Sequence, residues 1–416
     1  MNANLKASLA INGGMPVRSR ELQWPTYEKG DTFLNQDDEN AAREAIEGRR
    51  YYRYDNRPYE ETYNGKLERK ICEMLGSQYA LACTSGTTAI ALALMALELP
   101  PGSLIGCSAF TFAATPSAIL LAGHRPYLIG CDENLNLCLD SLKKAVKHGI
   151  RAMVVVHMRG FASDMVEICD IAKQGGIPVI EDAVPVLGVK QSGRYLGTFG
   201  KIGAFSTQAD KPINTGEGGF LVTNDERLYA VAVVLCGAYE NRVRRHFAGR
   251  MPGVNPQKYP VFAFRMDEIR AALALSIFKR LPQRLEAHRA NYDNIVRMIR
   301  ENKALTLRQP VDAGAYLGQF LNFRLAGRTA ETCIEFAKAL CAEGIEAKCL
   351  ADTDVPNSRA FWNWSFLPIE TISDESLVRA KNYLSETIDI PISANLRRRD
   401  LFDVAAAIDK VSNALL

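Results

Sequence analysis

Residues 152–182, AMVVVHMRGFASDMVEICDIAKQGGIPVIED, contain the pattern that decides the fold. Ala152–His157 is a continuous apolar run of the kind found in strands that are buried on both faces of a sheet. A helical segment follows at Met165–Gly175, and Pro178–Asp182 is a second strand that ends in two carboxylates. A strand, a helix and a strand in this order predict a parallel pair joined by a right-handed crossover.

The same alternation extends to both sides of this unit. Further strands are predicted at residues 79–83, 103–107, 126–130, 203–206 and 219–223, with helices at 89–99 and 114–122. The sequence therefore predicts an α/β fold with a mostly parallel central sheet and helices on both faces. A long helical pattern follows at 266–300, and strands mix with helices after about residue 316, including helices at 329–343 and 373–385. We predict an N-terminal arm (1–40), a large domain (41–275) and a small C-terminal α+β domain (276–416).

Composition excludes several classes of protein. The 416 residues include 50 basic and 47 acidic side chains, a net charge of +3 that does not indicate a nucleic-acid partner. The sequence has neither an apolar run of about 18 residues nor a secretory signal, so we expect no membrane span. Its ten cysteines form no Cys-x-x-Cys pair, which argues against a metal site and for a reduced cytoplasmic location.

Three polar segments follow predicted strands, where open parallel sheets bind ligands. Ser85-Gly-Thr-Thr88 precedes a helix, and suits either an anion at the helix N-terminus or a plain helix cap. Glu181-Asp182 ends a strand, where a carboxylate either caps a loop or faces a ligand cation. Lys211 precedes a Gly-Glu-Gly-Gly turn ending at Gly219, from which it can reach inward or into solvent.

Together these segments fit pyridoxal 5′-phosphate (PLP). Its phosphate would lie at Ser85–Thr88 and Ser206, its ring nitrogen would pair with Asp182, and its aldehyde would form a Schiff base with Lys211. A lysine accepts a lowered pKa when desolvated, so it can act as nucleophile and then as proton shuttle. A carboxylate keeps the ring nitrogen protonated, which makes the ring an electron sink.

The order of these segments resembles that of the DegT/StrS family of sugar aminotransferases, from about residue 10 to residue 416. The matching segments are Thr84-Ser-Gly-Thr-Thr-Ala89, Thr111-Phe-Ala-Ala-Thr115, Glu181-Asp-Ala183, Gly197-Thr-Phe-Gly200, Phe205-Ser206, and Lys211 with Thr215-Gly-Glu-Gly-Gly219. Residues 9–17 and 264–272 match as well.

The resemblance implies the PLP-dependent transferase fold type I and a homodimer with shared active sites. It implies transfer of an amino group from glutamate or glutamine to a keto or aldehyde group of a sugar, cyclitol or sugar acid. Lys211 and Asp182 would be catalytic, and Phe112 would stack on the cofactor ring. The implied phosphate contacts are Gly86, Thr87 and Ser206, and Thr88 is predicted as a further cofactor-binding residue.

Two positions depart from the family pattern, and one narrower similarity is present. Pro185 replaces a glutamine near the cofactor's 3′-oxygen, and Ala263 replaces an asparagine that reaches the partner's phosphate. Residues 52–55, 156–160 and 362–364 resemble the branch that aminates an 8-oxo-octulosonate, the 8-amino-3,8-dideoxy-octulosonate transaminases. Arg53 and Arg159 would then meet a substrate carboxylate, although these segments equally suit a core or a dimer contact.

Two other functions remain as alternatives. The first is a PLP-dependent dehydratase or lyase that acts on a deoxysugar; such relatives replace the lysine with histidine, so Lys211 argues against it. The second is a catalytically silent PLP-fold sensor, which Pro185 and Ala263 would favour.

Overall fold

The computed structural model of the chain describes residues 2–19, 24, 34–354, 357–367 and 375–416. Its strands are β1 Tyr79–Cys83, β2 Leu104–Ser108, β3 Arg125–Ile129, β4 Ala152–Val156, β5 Val179–Asp182, β6 Lys190–Gln191, β7 Arg194–Tyr195, β8 Ile202–Ser206, β9 Gly219–Thr223, β10 Thr306–Leu307, β11 Phe320–Arg324, β12 Lys348–Cys349 and β13 Thr387–Pro391. Its helices are α1 Asn2–Ala7, α2 Gln36–Glu47, α3 Tyr63–Leu75, α4 Gly86–Ala96, α5 Ala114–Leu121, α6 Leu139–His148, α7 Met165–Gln174, α8 Glu226–Cys236, α9 Glu268–Phe278, α10 Leu281–Ile299, α11 Ala330–Ala342, α12 Glu375–Ser385 and α13 Arg398–Leu415.

Seven strands form the central sheet in the order β1-β9-β8-β5-β4-β2-β3. The pairs β2–β3, β2–β4, β4–β5 and β5–β8 are parallel, whereas β9 is antiparallel to both β8 and β1. The α/β fold with a mostly parallel sheet is therefore confirmed. Because β8 and β9 are antiparallel neighbours, the loop that joins them stays at the carboxyl edge of β8.

The two faces of the sheet pack against different helices. Along β4, Val154 and Val156 enter the core shared with α4, α5 and α8. Met153 and Val155 enter the opposite core, shared with α3, α7 and α9. Since successive side chains alternate between two apolar cores, the strand reads as an unbroken apolar run.

A second sheet is antiparallel, in the order β10-β11-β13-β12. Leu321 and Phe323 of β11 and Ile388 and Ile390 of β13 pack in one core with α10, α11 and α13. The predicted mixture of strands and helices after residue 316 is present, although β13 was not predicted.

The described part of the N-terminal arm lies against this second sheet's helices. The carboxylate of Glu343 accepts the N–H groups of Ala10 and Val17, both at 2.9 Å. Arg18 forms a salt bridge with Asp400 at 2.5 Å. These contacts with charged side chains hold residues 10–18 against the C-terminal part of the chain.

The helical pattern at 266–300 is two helices, because α9 ends at Phe278 and α10 begins at Leu281. Pro282 lies in the first turn of α10, where its missing N–H is tolerated. The predicted boundary between residues 275 and 276 lies inside α9, and the division into domains stays a prediction. The predicted helix at 373–385 is α12 from Glu375 onward, and its first two residues lie outside the described residues.

Among the described residues, no helix combines the length and apolar character needed to cross a bilayer. That same part of the chain holds no group of three or more His, Cys, Asp or Glu side chains arranged to bind a metal ion.

Candidate active site

Asp182 is the last residue of β5, and its side chain is buried at the carboxyl edge of the sheet (6% exposed). One carboxylate oxygen accepts a hydrogen bond from Thr115 Oγ1 at 2.9 Å, and the other accepts the Val184 N–H at 3.3 Å. Burial raises the pKa of this carboxyl. The described part of the chain gives it no salt bridge, so a cationic ligand group would supply the missing countercharge.

Glu181 points to the opposite face of the sheet, as alternation along a strand requires. Its carboxylate accepts the N–H groups of Gly197 at 2.7 Å and Gly200 at 2.6 Å. His157 Nε2 lies 3.2 Å from the same carboxylate. Of the two strand-end carboxylates, Glu181 therefore caps a loop, and Asp182 faces the site.

Lys211 lies in the loop between β8 and β9. Thr207 and Thr215 close this loop: their hydroxyls are 2.7 Å apart, and the Thr215 N–H donates to the Thr207 carbonyl at 2.8 Å. The Lys211 Nζ is 3.1 Å from a carboxylate oxygen of Asp210, and its side chain is 19% exposed. Its charge is near enough to lower the pKa of Asp182, against the larger effect of burial. The structure thus brings the lysine and the strand-end carboxylate to one site.

The N-terminus of α4 is both a helix cap and a candidate anion site. Ser85 Oγ accepts the Thr88 N–H at 3.0 Å, and Thr88 Oγ1 accepts the Ser85 N–H at 2.9 Å. Thr88 Oγ1 also donates to the Ser85 carbonyl at 2.8 Å, so its hydroxyl belongs to the cap. The N–H groups of Gly86 and Thr87 have no acceptor within the helix and can bind an anion.

Ser206, at the end of β8, borders this helix end. A Cβ on Gly86 would lie 2.9 Å from the Ser206 Cβ and 3.1 Å from Val184 Cγ2. A Cβ on Gly219 would lie 2.6 Å from the Gly86 nitrogen. Only glycine fits at either position, and the close approach brings Ser206 against the N-terminus of α4. The Ser206 hydroxyl accepts the Gln208 N–H at 3.1 Å and lies 3.3 Å from the Gly218 carbonyl.

Phe112 lies in the turn between β2 and α5 and is 47% exposed. Its carbonyl accepts the Thr115 N–H at 3.1 Å, so one turn sets the direction of both side chains. The guanidinium of Arg359 is 5.3 Å from the centre of the Phe112 ring, and the Ala113 N–H donates to the Ser358 carbonyl at 2.9 Å. The exposed ring is available for stacking on a flat ligand.

These groups fit PLP. Asp182 is a buried carboxylate in need of a cation, as the ring nitrogen provides, and Lys211 is an amine in the loop that follows the neighbouring strand β8. The glycine-lined helix end and the Ser206 hydroxyl suit a phosphate. Phe112 offers the apolar face that a pyridine ring requires.

The two arginines suggested for a substrate carboxylate are already paired within the chain. Arg53 forms a buried ion pair with Glu68, and Arg159 forms one with Asp389. The structure therefore does not support that role. The family departures remain: Pro185 has no side-chain polar group near Asp182, and Ala263 is exposed.

The sequence analysis missed the hydroxyl that Asp182 uses. Thr115 was noted only as part of a motif, and its hydrogen-bond partner lies far away along the chain. His157 was missed as well: its Nδ1 accepts the Ser163 N–H at 3.1 Å, which directs the Nε2 proton to Glu181. A sequence signal for Thr115 is its spacing of four from Thr111, which puts both hydroxyls on one side of a helical turn.

A sequence profile of the DegT/DnrJ/EryC1/StrS aminotransferase family matches residues 37–409. The chain belongs to this family. Its members are PLP-dependent aminotransferases, and the residues described above fit that cofactor.

Individual relatives support the same assignment. The chain is 34% identical to Protein MosB of Rhizobium meliloti over 53% of its own length, but this match spans about half (45%) of MosB. It is 27% identical to a GDP-perosamine synthase of Caulobacter vibrioides, over 83% of this chain and 89% of that protein. Among solved structures, Helicobacter pylori PseC, an aminotransferase of pseudoaminic acid biosynthesis, superposes with a TM-score of 0.78 at 20% identity, covering 94% of this chain and 99% of that one. At this identity the superposition shows the fold, which is the type I PLP transferase fold.

Proposed function

We propose that this protein is a PLP-dependent aminotransferase that moves an amino group from glutamate or glutamine to a keto or aldehyde group of a sugar, cyclitol or sugar acid. The observation that carries the proposal is that the buried carboxylate of Asp182, the loop that holds Lys211 and the glycine-lined end of α4 lie at one edge of the sheet, because β5 and β8 are parallel neighbours. The names of the relatives, which include sugar and cyclitol aminotransferases, support the substrate class.

PLP supplies an aldehyde that exchanges amino groups and a ring that withdraws electrons. Asp182 would hold the proton on the ring nitrogen. The Lys211 Nζ would hold the cofactor through its aldehyde and would serve as the amine that moves a proton during amino transfer. Asp210, 3.1 Å from that nitrogen, limits the directions in which the amine can point.

The Gly86 and Thr87 N–H groups and the Ser206 hydroxyl would hold the phosphate. Phe112 would cover one face of the ring and exclude water from it. Thr88 would act indirectly, because both its N–H and its hydroxyl close the helix cap that orients the N–H groups of Gly86 and Thr87.

A homodimer belongs to the same proposal. Phe112 and two leucines of α5, Leu120 and Leu121, are 41–50% exposed, and Val261 is 49% exposed. Phe112 precedes α5 at the site, and the two leucines end the same helix; apolar side chains exposed along one helix favour a covering partner. Symmetry would place a second copy there, so that each site is completed across a two-fold axis.

Lys211 separates this proposal from its alternatives. An amine at this position can carry the proton transfer of a transaminase, whereas the related dehydratases have histidine there. A silent sensor has no use for a carboxylate and an amine that meet at the cofactor, although Pro185 and Ala263 keep this alternative worth testing.

The donor half-reaction tests the proposal without the acceptor. Protein loaded with PLP should lose its visible absorption when glutamate or glutamine is added and should release the corresponding 2-oxo acid. Lys211→Ala should abolish both changes, and Lys201→Ala, outside the site, should alter neither. If no amino acid changes the spectrum, or if Lys211→Ala reacts like wild type, the proposal is wrong.

A further inference from the structure

Two threonine hydroxyls form a chain that ends on Asp182. Thr111 Oγ1 and Thr115 Oγ1 are 2.7 Å apart, and Thr115 Oγ1 donates to Asp182 Oδ2 at 2.9 Å. Both threonines are buried, with 0% and 1% of their surface exposed. A hydroxyl has one proton, so when Thr115 donates to an ionised Asp182, Thr111 must donate the 2.7 Å contact to Thr115 rather than its longer 3.3 Å contact to the Phe112 carbonyl. Both O–H bonds of the chain therefore point toward the carboxylate.

This arrangement opposes the effect of burial. Desolvation favours the neutral carboxyl, whereas hydrogen bonds donated by Thr115 and the Val184 N–H favour the ionised form. Two further titratable groups lie near enough to lower the pKa of Asp182: His157, which directly follows β4 and whose ring hydrogen-bonds to Glu181, and Lys211 in the β8–β9 loop. Of these, the Thr115 hydroxyl has the largest opposing effect.

The threonines also fix the direction of the carboxylate. Each oxygen of Asp182 accepts one hydrogen bond from the protein, from Thr115 on one side and Val184 on the other. Each oxygen keeps further lone pairs for a ligand. Thr115 lies in the first turn of α5, three residues after Phe112. The same turn therefore positions the Phe112 ring and the hydroxyl that orients the Asp182 carboxylate.

We propose that the Thr111–Thr115 pair is a positioning device that keeps Asp182 ionised and aims it at the ring nitrogen of PLP. The inference rests on the role proposed above for Asp182. Neither threonine touches the cofactor; both act through the carboxylate, so they are positioning residues. The pair should therefore set how tightly, and down to what pH, the protein holds the protonated ring.

Equilibrium binding of PLP to the cofactor-free protein, measured across pH, tests this inference without any turnover. Thr115→Val keeps the shape of the side chain and removes the hydroxyl. It should weaken PLP binding about tenfold, the usual scale for losing a hydrogen bond to a charged group. The pH below which binding weakens should move upward, because the carboxylate becomes easier to protonate. Thr115→Ser should restore both properties.

Ser117→Ala is the matched control. Its hydroxyl donates to the Ala113 carbonyl at 2.7 Å within the same helix and does not reach Asp182, so binding should not change. Thermal unfolding of the cofactor-free protein shows whether Thr115→Val folds. If it does not, Thr111→Val replaces it and should cause a smaller loss of PLP affinity and a smaller upward shift of the pH below which binding weakens. In that variant Thr115 keeps its donor but loses the contact that orients it.

The Asp182→Asn variant distinguishes a failure of this inference from a failure of the proposed function. In the Asp182→Asn background, Thr115→Val should have little further effect, since the two residues act as one unit. An equal loss in both backgrounds, or a loss with no shift along the pH axis, would mean that Thr115 only packs, and would overturn the inference alone. An Asp182→Asn protein that binds PLP and reacts like wild type would overturn both proposals.

Discussion

Replacing Asp182 with asparagine removes a negative charge while the side chain keeps its size. The Thr115 hydroxyl can still donate to the amide oxygen and hold the carboxamide in place, whereas the long 3.3 Å contact with the Val184 N–H is lost because an NH2 group cannot accept it. It cannot, however, hold a proton on the ring nitrogen of the cofactor. Removing one member of a buried charge pair typically costs about 3–5 kcal/mol. If this cost falls on the transition state, the rate falls by about two to four orders of magnitude, since about 1.4 kcal/mol is tenfold.

The assay is a single turnover of the donor half-reaction, followed by the absorption of bound PLP in a stopped-flow instrument. Stability provides the control. Burial raises the pKa of Asp182 in the folded protein, so the folded state binds this proton more tightly than the unfolded state does. The protonated carboxyl therefore stabilises the fold below the ordinary pKa of an aspartate, and this stabilisation is lost as pH rises through the raised pKa. At neutral pH the cofactor-free Asp182→Asn protein should therefore be at least as stable as wild type. An unchanged rate would refute the reasoning, because another group would then hold the ring-nitrogen proton.

Three further predictions concern other parts of the site. Gly86→Ala should weaken PLP binding about tenfold, because its Cβ would lie 2.9 Å from that of Ser206; unchanged binding in a PLP titration would contradict the proposed phosphate site. Glu181→Gln should lower the free energy of unfolding by about 2–4 kcal/mol, since two N–H groups lose a charged acceptor; an unchanged urea midpoint would be evidence against the anchoring role. Sedimentation velocity should show a dimer at assay concentration, and an active monomer would contradict the shared site.

The sequence was most informative where burial imposes the same demand, an apolar side chain, on every residue of a strand. β4 and β5 were predictable because two apolar cores demand a long apolar run from a strand between them. The direction of β9 was not predictable, because antiparallel and parallel strands with the same apolar residues look alike in sequence. The break between α9 and α10 has a signal in Pro282, which fits the start of a helix better than its interior.

The individual roles of the site residues depended on contacts between distant segments. The sequence left Glu181 and Asp182 each with two possible roles, and alternation along β5 gives each residue a different one. Thr88 was predicted as a cofactor contact, but its hydroxyl closes the helix cap. Thr115 reaches Asp182 because the first turn of α5 and the end of β5 both lie at the carboxyl edge of the sheet, which no local pattern records. Arg53 and Arg159 pair with carboxylates from other elements for the same reason.

Borohydride reduction of the PLP-loaded protein, followed by peptide mass spectrometry, is the most direct test of the central claim that Lys211 and Asp182 form a PLP site. We expect the reduced cofactor on the peptide that contains Lys211, with Lys201 unmodified. We also expect the Asp182→Asn protein to carry it at the same lysine. A cofactor found on a different lysine, or none on the loaded protein, would contradict the account.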